Sequence, residues 1–122
     1  MQITQNQNAI RIWKNLELNI IYAGHAIVGQ DWKEPKVCSP FSRIYYIVDG
    51  EGILTVNGQR IVLKKGSVWL VPAGMTFGYF CESSMEQLFF HLNVLCSDGT
   101  DLLYGVRPVS YTHLTLPTTS RV

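Results

Sequence analysis

The dipeptide Asn57-Gly58 constrains this chain more than any other feature. It separates two apolar runs, Leu54-Thr55-Val56 and Arg60-Ile61-Val62. A two-residue type I′ turn needs positive φ at both central positions, which Asn and Gly tolerate. The spacing therefore predicts a tight β-hairpin with Val56 close to opposite Arg60. Similar runs flank it. Residues 44–48 and 53–56 read as strands separated by Asp49-Gly50-Glu51-Gly52, and residues 61–63 as the strand after the turn. A fourth run, residues 67–71, follows Lys64-Lys65-Gly66 and stops at Pro72-Ala73-Gly74, because proline has no N–H to donate to a ladder. Residues 43–80 are thus expected to form the heart of a small β-barrel.

The flanks extend the pattern. Residues 16–23 alternate apolar and polar, the period of a half-buried strand. A short strand is expected over residues 25–28, then a long loop carrying Trp32, broken by Gly29, Pro35 and Pro40. Residues 75–80 and 85–94 read as further strands around a Glu82-Ser83-Ser84 turn. Residues 10–12 suggest one more. Residues 101–106 are expected to start a C-terminal helical region, capped by Asp98 or Thr100. Many short strands with close-spaced turn residues make the fold all-β, a sandwich or barrel.

A chain of 122 residues is one domain by length. Its net charge is +1, and the only adjacent basic pair is Lys64-Lys65. Proteins that grip DNA concentrate positive charge to neutralise phosphates, so this domain is not expected to bind nucleic acid by itself. The polar N-terminus lacks an apolar signal core, and no run reaches the ~20 apolar residues of a spanning helix. The three cysteines, Cys38, Cys81 and Cys96, show no CxxC spacing and read as reduced, buried thiols of a cytoplasmic protein.

Residues 109–122 (VSYTHLTLPTTSRV) continue no earlier pattern. VSYTHLTLPT resembles one reading frame through the transposon mosaic-end adapter of sequencing libraries. That frame requires the preceding codon to end in CT, which Pro108 satisfies. Native sequence is accordingly expected to end at Arg107 or Pro108. The domain plan is a flexible arm over 1–9, an effector-binding domain over 10–107 and an adapter-derived segment over 108–122.

Gly50-Glu51-Gly52, Gly66 and Pro72-Ala73-Gly74 together resemble the signature of cupins, whose fold is a double-stranded β-helix, a small jelly-roll barrel. With RIYYIVDGEG, NGQRIVLKKGSVWLVPAG, Tyr79 and EQLFFHLNV, the chain most resembles the N-terminal sensor domain of AraC-type transcription regulators, over about residues 16–94. Metal cupins share HxHx₃₋₄E, with Gly after six more residues, and then Gx₅PxGxxH. Counting from Gly50 and Gly66 puts the four ligand positions at Val37, Ser39, Arg43 and Phe77. None suits a divalent cation, and Arg43 would repel one. Neither a metal nor another cofactor is expected. No nucleophile elbow or phosphate loop is present, so the chain is not expected to be an enzyme.

The resemblance implies a barrel that binds a small effector, often a sugar, and that forms a homodimer. Promoter DNA would be read by a separate C-terminal helix-turn-helix domain. No membrane partner is expected. Ligand positions in cupins point inward, so Arg43 and Phe77 are expected to do so, followed at period 2 by Tyr45 and Tyr79. Phe89 and His91 share a face of their strand, and Trp32 is placed at the barrel mouth. These seven residues form the expected ligand site: the rings against apolar ligand faces, Arg43 and His91 bonding hydroxyls or an anionic group. The bland alternative has the rings as core and Arg43 paired with a carboxylate such as Glu86. The alternative function is a stand-alone metal-free cupin, either a binding protein or a sugar isomerase-like or epimerase-like enzyme.

Overall fold

The structure, a computed structural model, describes residues 15–104. The expected arm, the strand at residues 10–12 and the adapter-like segment lie outside the described residues. Seven strands follow in chain order: β1 Glu17–Val28, β2 Lys33–Val37, β3 Ser42–Val56, β4 Gln59–Lys64, β5 Val68–Val71, β6 Phe77–Phe80 and β7 Met85–Leu95. All strand pairings are antiparallel. No helix occurs among the described residues.

The Asn57-Gly58 turn forms with φ of 50° and 78°, the left-handed pair that a type I′ turn needs. It sets the register of β3 and β4 as Val56 opposite Gln59 and Thr55 opposite Arg60. Arg60 therefore sits one rung away from its expected partner, because a two-residue turn pairs the residues immediately flanking it.

Strand β3 organises the molecule. Asp49-Gly50-Glu51-Gly52 does not divide it, as the sequence suggests, but bends it. Gly50 has φ 74°, and a Cβ there would lie 2.2 Å from the Ser84 carbonyl oxygen. The ladder with β7 slips between Ile47 and Asp49, a bulge that bends the strand. Before the bend β3 pairs with β7 and β5; beyond it β3 pairs with β4 and β6. One strand thus belongs to two sheets. The bulge also shifts the alternation: Tyr45 and Ile47 face the core on one side, Leu54 and Val56 on the other.

The outer pairings complete the barrel. Strand β7 lies between β1 and β3, and β6 lies between β3 and β2. Strand β1 is continuous through Gly24, with a bulge between Ile20 and Tyr22. Its N-terminal half is not half-buried as the alternation predicts: Leu18 and Ile20 are 61% and 58% exposed. Strand β2 falls within the expected loop. It has no apolar alternation (KEPKV) and is held by its ladder to β6. At the C-terminal end, Asp101 bridges to Leu95 and the Leu102 N–H donates to the Val94 carbonyl. The Asp98 carboxylate accepts from the Thr100 N–H and hydroxyl, which closes a turn rather than capping a helix. Residues 102–104 form a turn, and the rest of the expected helical start lies outside the described residues.

The core lies between the sheets. Ile47, Leu63 and Met85 are fully buried, with Leu54, Val56, Trp69, Val71 and Phe77 around them. Buried polar groups here are mostly satisfied. Ser42 Oγ accepts from the Ala73 N–H, and Trp69 Nε1 donates to Ser67 Oγ. All three cysteines are free, but only Cys81 is buried; Cys38 is exposed and Cys96 intermediate. No helix of the described residues is long and apolar enough to cross a membrane.

Candidate ligand-binding site

The four counted ligand positions converge. Val37 pairs with Phe77 across β2 and β6. Arg43 Nη2 donates to Ser39 Oγ at 2.9 Å, and the guanidinium carbon sits 5.4 Å from the centre of the Phe77 ring. A second ring, Phe41, lies 5.2 Å from the same carbon. The guanidinium is held between two aromatic faces and a hydroxyl. This donor set of an aliphatic, a hydroxyl, a cation and a phenyl ring does not fit a divalent metal. The described residues also contain no group of three His, Cys, Asp or Glu side chains that would hold one.

Strand pairing builds a wall beside Arg43. On β3 and β7, Arg43 faces His91, Tyr45 faces Phe89 and Ile47 faces Gln87. Side chains alternate across a strand, so Gln87, Phe89 and His91 share one face of β7. Strand β1 adds Ala26, opposite Gln87, and Gly24, opposite Phe89. The Phe89 ring takes the space above Gly24, where a Cβ would come within 2.5 Å of its tip. Trp32, held by a turn in which its N–H donates to the Gly29 carbonyl, closes the end. Its ring lies 4.3 Å from that of Tyr79 and meets Tyr45 edge-on at 6.2 Å. Most of these residues line a partly open cavity of about 250 Å³.

Five of the seven expected residues line that cavity: Trp32, Arg43, Tyr45, Phe89 and His91. Phe77 does not; it is buried, with the Arg43 guanidinium over its ring. Tyr79 packs at a tilt against Trp32 and lines instead a wider outer groove of about 830 Å³, with Lys33, Glu34 and Thr55. Arg43 makes no carboxylate pair with Glu86, which bonds His25 Nε2 at 2.7 Å on the outer surface. Gln87 lines the cavity as well, and its period-2 relation to Phe89 and His91 is the sequence signal that points to it.

The electrostatics are one-sided. No carboxylate lines the cavity, and Arg43 is its one fixed charge. Burial, with Arg43 nearby, pushes the His91 imidazole below its ordinary value, so it is neutral near pH 7. Burial raises the Tyr45 phenol, which stays protonated and lies 3.5 Å from Arg43 Nη1. Among the buried side-chain polar atoms of the described residues, two lack a hydrogen-bond partner: Arg43 Nε, a donor, and Gln87 Oε1, an acceptor. Both residues line this cavity. Orphaned buried polar atoms are rare in folded proteins.

The profile of the cupin domain matches residues 28–92, over half of the chain. The chain belongs to the cupin family. Solved structures with the same fold include the EutQ protein of Clostridium difficile, at 11% identity and TM-score 0.52, covering 68% of this chain and 69% of that one. A predicted oxalate decarboxylase from Thermotoga maritima matches at 18% identity and TM-score 0.52, covering 72% and 74%. A cupin superfamily protein from Desulfitobacterium hafniense matches at 17% identity and TM-score 0.51, covering 75% and 83%. No curated protein matches the sequence significantly. At these identities the likeness concerns the fold. The matches support a cupin barrel and say nothing of AraC-type regulators.

Proposed function

We propose that this cupin binds a small organic molecule directly through side chains, with Arg43 acting where metal cupins place a metal ligand, and that it is a binding module rather than an enzyme. The observation that carries this is the pair of orphaned polar atoms, Arg43 Nε and Gln87 Oε1, on one aromatic-lined cavity. A ligand that fills it stabilises the folded state by mass action, about 2.7 kcal/mol at a hundred times its Kd. A thermal-shift screen of sugars and organic acids should therefore find compounds that raise the melting temperature in proportion to log concentration. Trp32→Ala, which removes the cavity's end wall, should abolish the shift. An equal shift in wild type and Trp32→Ala would place the ligand elsewhere. Tight metal occupancy at one ion per chain would overturn the direct-binding mode.

Sensing within an AraC-type regulator is the use of such a module that the sequence resemblance over about residues 16–94 favours. It carries with it a cytoplasmic homodimer and promoter contact through a separate domain. The genomic sequence following Arg107 tests it. Some 150 or more further residues with helix-turn-helix patterns support the regulator; a prompt stop codon supports a stand-alone cupin.

A further inference from the structure

We propose that the ligand is a small monocarboxylate with a flat apolar body and a hydrogen-bond donor at its far end, lying along β7 from Arg43 to Gln87. The inference rests on the cavity being a binding site and adds the polarity and shape of what enters it.

Charge comes first. The cavity is lined by one guanidinium and no carboxylate, and Arg43 has no ion pair among the described residues. Its known partners are neutral: Ser39, Tyr45 and the Phe41 and Phe77 rings. A part-buried cation with only neutral partners favours an anionic guest, and a carboxylate suits a guanidinium N–H. His91 beside it is uncharged near pH 7, so the site offers a single positive charge and fits a monoanion better than a dianion.

Shape follows from the register. Arg43 stands opposite His91, and Gln87 lies four residues along β7 from His91. At about 3.3 Å per residue, those two ends of the strand face are ~13 Å apart at the backbone. Tyr45 and Phe89 form the rung between them, and Trp32 closes over Tyr45. The polar groups stand at the ends and the rings in the middle. Gln87 is 3% exposed, and its Oε1 lacks a donor. A hydroxyl or amide N–H on the distal end of the guest satisfies it once the Gln87 amide rotates toward the cavity, since its oxygen is buried as it stands. A volume of about 250 Å³ suits a single ring or a short chain, below the usual ~300–1,000 Å³ of drug-sized pockets. A pentose or hexose brings no charge to meet Arg43.

Probes that differ in one group test this on the full chain by calorimetry. 4-Hydroxybenzoate carries the charge, the flat body and the distal donor; 4-hydroxybenzamide removes the charge, benzoate the donor, and xylose is the neutral sugar. Wild type should bind 4-hydroxybenzoate about tenfold or more tightly than the amide, the effect of one charge-assisted hydrogen bond. Gln87→Leu should erase the advantage of 4-hydroxybenzoate over benzoate. Arg43→Gln should erase the preference for acid over amide. The acid and amide comparison needs no variant, so it stands even where Arg43→Gln misfolds. Equal binding of acid and amide, or a preference for xylose, overturns the carboxylate while leaving the binding barrel intact. Binding that Trp32→Ala leaves untouched takes the cavity away from both.

Discussion

Arg43 shows how one side chain sets the chemistry of a barrel interior. It stands where the motif count puts the carboxylate of a metal cupin, and two other counted positions meet its charge: Ser39 bonds the guanidinium and Phe77 lies beneath it. Its neighbour His91 gives a testable pH dependence. Burial and Arg43 lower the folded-state pKa, while the unfolded chain keeps about 6.5. The unfolded state takes up the proton first as pH falls. The stability linked to His91 is therefore complete above about 6.5 and declines as pH drops through 6.5 toward the lower folded value. Denaturant midpoints measured between pH 7.5 and 5 should fall less steeply for His91→Gln than for wild type. Identical slopes would show that the imidazole titrates freely. The residue scale is also where the sequence was most and least informative. Counting from Gly50 and Gly66 brought Arg43, Ser39 and Phe77 to one place, because motif spacing fixes positions on a barrel. Gln87 is not legible in the same way, because a lone glutamine in an apolar strand reads as polar surface until its neighbours on the same face are known to line a cavity.

At the scale of elements, β3 carries most of the architecture. Its bend at Gly50 and its turn at Gly58 both use positive φ, but the surroundings differ. A Cβ at Gly50 would collide with the Ser84 backbone at 2.2 Å, whereas one at Gly58 meets nothing within 4 Å. Gly58→Ala should cost about 1 kcal/mol, from backbone strain alone. Gly50→Ala should cost clearly more, about 3 kcal/mol or above, because strain adds to a backbone clash that must move the start of β7. Urea titrations of the two variants would settle the order, and equal costs would mean that the bend accommodates a side chain. The hairpin was legible because Asn-Gly has few alternative conformations. The bend was not, since Asp-Gly-Glu-Gly reads equally as a turn between two strands or as a kink in one. Strand β2 was hidden for a different reason: its ladder to β6 is made by the backbone, and its side chains carry no period.

At the scale of the molecule, one core serves both sheets. Leu63 from β4 and Met85 from β7 are each fully buried in the same cluster as Ile47 from β3. Leu63→Ala should cost about 2–5 kcal/mol, the range for deleting a buried leucine. Far-UV circular dichroism and tryptophan fluorescence should still report a single coincident transition, since Trp69 lies in that cluster. Two separated transitions would show that the sheets melt independently.

The position of β7 has a further consequence, for how the molecule comes into being. Strands β1 and β3 leave the ribosome first, yet they do not pair with each other; the late strand slots between them. Until residues 85–95 emerge, the nascent chain has a gap where the cavity wall belongs, flanked by two open edges. Such edges invite pairing with other chains. The cavity wall is thus completed by the same event that covers those two edges. A message truncated before β7 would yield a product that is sticky and unable to bind, whereas one truncated after it would retain every residue of the pocket.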